Sequence, residues 1–120
     1  MLLISGSTGF IGNNLKIILK SKKIKFKVIK TREIKNKNKN FFKEIKCFIH
    51  LGFNFHKKKT ILKNDSNLNI IKFLIKKAEH YNFKIIFAST ASYKYRGKNK
   101  MISHDIYPFN LYSLSKINCE

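Results

Sequence analysis

The sequence predicts an α/β fold, a doubly wound parallel sheet with helices on its faces, and three observations carry this. Short apolar runs alternate with longer stretches of helical periodicity along all 120 residues. Most runs are almost continuously apolar, which suits strands covered on both sides. A glycine-punctuated turn, Gly6 to Gly12, joins the first run to the first helical stretch. The length is one domain's worth, enough to bury an ordinary core.

The elements follow in order. Leu2 to Ser5 reads as a buried parallel strand that stops at Gly6. From Phe10 to Lys20 the apolar residues Phe10, Ile11, Leu15, Ile18 and Leu19 recur at helical spacing. Phe26 to Thr31 opens with the alternation Phe26-Lys27-Val28-Ile29 and reads as a second strand. Glu33 to Asn40 is rich in Lys and Asn, which predicts an exposed loop or a poor helix. Cys47 to Leu51 is a third apolar run, closed by Gly52. Asn64 to Tyr81 carries Leu68, Ile71, Phe73, Leu74, Ile75 and Ala78, the pattern of a long amphipathic helix, with Asp65, Ser66 or Asn67 available as its cap. Lys84 to Ala88 is a fourth strand that runs into Ser89-Thr90, and Arg96 to Lys100 is a polar loop. Pro108 precedes a helix start at Phe109 to Tyr112, where proline's preset φ and missing donor fit.

Composition bounds the function classes. Hydrophobic residues make up 43%, a globular rather than a disordered content. Lys and Arg number 26 against 6 Asp and Glu, a formal charge of +20. That excess suggests a nucleic-acid binder, but a binding face concentrates Arg and interleaves aromatics on one surface. Here the cations are nearly all Lys, scattered with Ile, Asn and Phe, the mix an AT-rich coding sequence produces; Arg32 and Arg96 are the two arginines. No specific nucleic-acid partner is expected. Cys47 and Cys119 lie far apart without ligand spacing, and His56, His80 and His104 share none, so neither a disulfide framework nor a metal site is expected. The apolar start stops at Ser5-Gly6 without a basic lead, and Lys interrupts every apolar run. These features predict a cytoplasmic protein with free thiols and no membrane partner.

Two constellations carry chemistry. Gly6-Ser7-Thr8-Gly9-Phe10-Ile11-Gly12 sits straight after a strand and opens a helix. Glycine there permits a sharp turn and close backbone approach to a diphosphate, and the helix start offers free N–H groups. The pattern predicts a Rossmann-type nucleotide fold. At the second strand's end, where an acidic residue commonly meets the ribose, stands Thr31-Arg32; a cation there suits a 2′-phosphate and tilts the cofactor toward NADP. The second constellation is Tyr112 and Lys116, four apart on one face of the last predicted helix. A neighbouring ammonium favours the phenolate and equips Tyr112 as a general acid/base. Ser89-Thr90, at the end of a parallel strand, supplies a hydroxyl for a reacting oxygen.

Together these motifs resemble the extended short-chain dehydrogenases/reductases, the group of NAD(P)-dependent sugar-nucleotide epimerases, dehydratases and reductases. The resemblance runs through Gly6 to Gly12, Ile49-His50-Leu51-Gly52, Phe87-Ala88-Ser89-Thr90-Ala91-Ser92, Pro108 and Tyr112-Ser113-Leu114-Ser115-Lys116, in that order. It implies Gly6, Thr8, Gly9, Phe10, Ile11 and Gly12 as the diphosphate loop, and Leu51, Gly52 and Ser89 along the cofactor. It implies Thr90, Tyr112 and Lys116 as the catalytic set, with Tyr112 and Lys116 also touching the nicotinamide side. The family's helix asparagine would be Asn64 or Asn67. A nucleotide sugar is the implied substrate, and a homodimer the implied full-length form. Lys46 and Tyr93-Lys94-Tyr95 depart from the family pattern, and its adenine-contacting Asp is not identifiable.

Family members continue well beyond Tyr-x-x-x-Lys. Residues 1–120 are therefore expected to be an incomplete NAD(P)-binding Rossmann domain, truncated after the fourth strand and the start of the catalytic helix, without the substrate-binding lobe. Such a fragment is expected to be inactive and poorly soluble alone. The alternatives are a non-catalytic NAD(P)-binding module or degraded remnant, and behind them a basic nucleic-acid-binding domain.

Overall fold

In the computed structural model, which describes residues 1–54, 65–90, 93–95, 106–108 and 111–120, the four predicted strands pair into one parallel sheet. They are β1 (Leu2–Ser5), β2 (Phe26–Ile29), β3 (Cys47–His50) and β4 (Lys84–Phe87), in the order β2-β1-β3-β4. The order reverses direction at β1, so a topological switch point lies where the glycine turn leaves the sheet. Three strands end one or two residues earlier than the sequence suggests, although Leu51 still donates to the Ser5 carbonyl at 3.1 Å and Ala88 to that of His50 at 3.4 Å. Helix α1 spans Phe10–Ser21, and α3 spans Ser66–Tyr81. The chain divides into two units, Met1–Phe53 with Ile70–Ala88, and Asn54–Asn69 with Ser89–Glu120.

The first unit holds the core. Leu3, Phe48 and Ile85 lie in register across β1, β3 and β4 on one sheet face. Against that face pack Ile70 and Leu74 of α3, with Ile29, Ile34, Phe42, Ile45 and Phe83. Period-two alternation of the strands and period-3.6 spacing of the helix bring these residues to a common side. On the other face Ile4 is fully buried, while its in-row neighbours Val28 and Ile86 are half exposed. Of the apolar stripe read on α1, Leu19 is buried but Phe10, Ile11 and Ile18 are exposed.

Residues 33–40, expected as an exposed loop or a poor helix, take mostly the second form, and residues 35–40 are exposed. Thr31–Asn36 form a 3-10 helix, and α2 follows at Lys39–Lys43. Two apolar anchors explain the helical form: Ile34 and Phe42 are both fully buried. Asn38 caps α2 by accepting from the Phe41 N–H at 3.0 Å. Phe42 meets Phe41, Phe73 and Tyr81 at centroid separations of 5.4, 6.0 and 6.0 Å. The Lys77 ammonium lies 5.4–5.9 Å from the Phe42, Phe73 and Tyr81 centroids, so this lysine covers an aromatic cluster with its charge kept outward.

In the second unit, β5 (Tyr93–Tyr95) pairs antiparallel with β6 (Ile106–Pro108). Neither strand was expected. Pro108, read as the approach to a helix, instead ends β6, a place in a two-stranded ladder where its missing donor is tolerated. Helix α4 spans Leu111–Asn118. Asn64, Ala91, Ser92, Phe109 and the predicted loop 96–100 lie outside the described residues.

Candidate functional site

The glycine turn occupies the carboxyl end of β1. Gly6 has φ +71°, a region that L side chains rarely adopt, and a Cβ there would fall on the Gly52 nitrogen and 2.5 Å from the Leu51 carbonyl carbon. The backbones leaving β1 and β3 therefore touch, and a Cβ on Gly52 would strike the Thr31 hydroxyl, which gives Gly52 a packing reason beside its predicted place along the cofactor. At Gly12 a Cβ would strike the Gly6 carbonyl oxygen and lie 2.7 Å from the Ser7 Cα, so glycine seats the first turn of α1 directly on the loop. Gly9 caps α1 without a side-chain hydrogen bond, and the first turn carries no acidic residue. The N–H groups at that end are left for a ligand, with the positive end of the helix dipole behind them.

Beside the turn lies a cavity of about 420 Å³, lined by Gly6, Ser7, Thr8, Val28, Ile29, Lys30, Thr31 and Glu33. It collects the carboxyl ends of β1 and β2. Thr8 is exposed, as are Phe10 and Ile11, which fits a backbone role for those two. Arg32 is exposed and is not among the lining residues, whereas Glu33 is. Sequence reasoning stopped at Arg32 and missed Glu33. No apolar pattern in residues 31–36 distinguishes the two neighbours; the 3-10 helix that forms there decides which one lines the cavity.

At the end of β3, His50 is buried, its Nδ1 2.5 Å from the Ser5 Oγ and its ring stacked 6.1 Å from Phe87. This pair binds neighbouring strand ends below the turn. Leu51 and Gly52 follow it, both partly exposed.

The second unit carries the other predicted residues. Tyr112 is partly buried, and Lys116 is 3% exposed with its ammonium 5.7 Å from the Tyr112 ring centroid. Burial pushes the Lys116 ammonium below its ordinary range, while Cys119 and Glu120 pull it upward. Burial, and then the Asp65 charge, raise the Cys119 thiol to about 11, which makes it an inert neighbour. Thr90 is partly buried and Ser89 exposed.

Around α4 lies a buried polar cluster that sequence reasoning reached only through Asn67. Asn67 is 1% exposed; its Oδ1 accepts from the Asn54 N–H at 2.8 Å, and its Nδ2 donates to the Asn54 carbonyl at 3.0 Å and to the Ser115 Oγ at 3.3 Å. Asp65 accepts from the Asn67 N–H at 2.8 Å and from the Ser115 hydroxyl. No group of three or more His, Cys, Asp or Glu suited to a metal occurs among the described residues. Nor is any of their helices long and apolar enough to cross a membrane.

The fold is the Rossmann-type fold of solved short-chain dehydrogenase/reductase and epimerase/dehydratase structures. One is a short-chain dehydrogenase/reductase superfamily protein from Agrobacterium tumefaciens with bound NAD, at TM-score 0.73 and 16% identity over 99% of this chain and 42% of that one. The NAD-dependent NDP-hexosamine 5,6-dehydratase TunA matches at TM-score 0.76 and 17% identity, over 98% of this chain and 46% of that one. The UDP-N-acetylglucosamine 4-epimerase from Bacillus cereus matches at 0.73 and 21%, over 98% and 47%. The chain spans less than half the length of each of these proteins. No protein-family model and no curated sequence matches it.

Proposed function

We propose that the chain is the nucleotide-binding part of an NAD(P)-dependent enzyme of the extended short-chain dehydrogenase/reductase family that acts on a nucleotide sugar. The observation that carries this reading is the Tyr112–Lys116 pair, an almost fully buried ammonium beside a phenol ring on one helix face. A lysine is rarely buried to that degree without a task. Two of the proteins of like fold, the NDP-hexosamine dehydratase and the UDP-N-acetylglucosamine epimerase, are named for nucleotide-sugar substrates, which supports that substrate class.

The residues fit the cofactor. At Gly6 and Gly12 a Cβ would strike the chain's own backbone, so glycine keeps the loop tight against the first turn of α1, and the amides of that turn suit a diphosphate's charge. When bound, the nicotinamide supplies a hydride acceptor or donor. Thr90 then donates a hydrogen bond to the substrate oxygen. Tyr112 takes the proton from that oxygen, or returns it. Lys116 favours the ionised phenol and donates to the nicotinamide ribose. Gly52, Leu51 and Ser89 line the cofactor's path. Homodimerisation of the full-length form and a cytoplasmic location belong to the same proposal.

For the choice of cofactor two residues compete. The Arg32 guanidinium suits a 2′-phosphate and hence NADP. The Glu33 carboxylate suits the free 2′-hydroxyl of NAD, and its place in the cavity lining favours NAD. Calorimetric titration with NAD and NADP is the test, because the chain has no tryptophan to report binding. NAD should bind more tightly, and Glu33→Gln should narrow the preference about tenfold, the worth of one charge-assisted hydrogen bond. Tighter NADP binding that is lost in Arg32→Ala would assign the choice to Arg32 instead. Binding of neither cofactor would remove the family reading.

A further inference from the structure

We propose that Asp65 is a positioning residue for the Tyr112–Lys116 pair, its carboxylate holding α4 through Ser115 at the rotation that keeps Lys116 buried beside the Tyr112 ring. The inference rests on the function proposed above and names a group that acts without touching substrate or cofactor.

Asp65 is 3% exposed and spends its two oxygens differently. Oδ1 accepts from the Asn67 N–H at 2.8 Å, which is the helix cap of α3. Capping needs no more than that, and serine or asparagine would cap as well without burying a charge. Oδ2 accepts instead from the hydroxyl of Ser115, fifty residues away in the chain. A carboxylate only accepts, so the Ser115 proton must point at Asp65. The Asn67 amide donates to the same Ser115 oxygen at 3.3 Å, and Asn67 is itself fixed by both backbone groups of Asn54. Ser115 is fully buried and has one direction for its proton and another for its lone pairs. On a helix, residues 112, 115 and 116 lie on neighbouring lines of one side. Fixing Ser115 therefore fixes the rotation of α4 at the catalytic face.

Among the described residues, the charged and titratable groups about Lys116 include Tyr112, Cys119 and Glu120 on its own segment, with Asp65, just ahead of α3, acting on Cys119. The Lys116 titration, followed by ¹³C NMR of its ε-carbon and assigned by difference with Lys116→Arg, reads the positioning directly. In the wild type it should fall below the ordinary lysine value. Asp65→Asn and Ser115→Ala should each return it upward, toward the ordinary lysine value, as the ammonium gains solvent. The double variant should go no further than either single one, because the two residues act as a unit. Ser115→Ala leaves the α3 cap intact, so it reads the claim even where Asp65→Asn does not fold. Folded variants with an unchanged Lys116 titration, or a wild-type Lys116 at the ordinary value, would overturn the proposal. Failure of the wild type to bind NAD or NADP would strike the family reading and leave the Lys116 result standing.

Discussion

Tyr112→Phe should lower turnover of the enzyme that carries this chain by about 10²–10⁴-fold, the usual worth of a positioned general acid/base. The ring stays, and with it the contact to the Lys116 ammonium 5.7 Å from its centroid. Only the proton-carrying oxygen is removed. The glycine turn belongs to the other unit of the chain, so cofactor affinity should stay within about threefold, less than one hydrogen bond's worth. Initial rates by absorbance of the reduced cofactor, beside a calorimetric titration, separate the two quantities. Turnover equal to the wild type would take Tyr112 out of the chemistry and favour a module that binds cofactor without reacting.

The second large effect is on the turn itself. Gly6→Ala should destabilise the fold by about 2–5 kcal/mol, from a left-handed backbone that alanine resists and an overpacked contact that it creates. That contact is with backbone, the Gly52 nitrogen and the Leu51 carbonyl carbon, so no side chain can swing aside. Gly9→Ala is the matched control, since its Cβ would meet nothing nearer than the Gly6 carbonyl oxygen at 3.5 Å. Urea midpoints should drop sharply for the first variant and little for the second. Equal midpoints would mean that the strand ends do not approach as closely as described.

The glycine turn and the four strands were legible because their causes are local. Leu2 to Ser5 is apolar and stops at a residue that can take φ +71°. The long helix of Ser66–Tyr81 was legible from its periodicity, with Asp65 among its named caps. Helix α2 was legible only as an exposed loop or a poor helix, because it is five residues long and its sequence is rich in Lys and Asn. Its reason to form is the burial of Phe42 against Phe73 and Tyr81, residues that arrive from α3. The juxtaposition of Tyr112 and Lys116 on one helix could be read from their spacing of four. The Asp65–Ser115 contact could not, because fifty residues separate the partners and neither carries a periodic signal. Glu33 was passed over for Arg32 because no strand pattern tells which of two neighbours faces a cavity that forms only after folding.

Amide NMR of the chain during addition of NAD, and separately of ADP, tests the central claim most directly. Both ligands should shift the amides of residues 6–12, and NAD alone should also shift those of Tyr112 and Lys116. An NAD titration that leaves residues 6–12 unmoved would contradict the account.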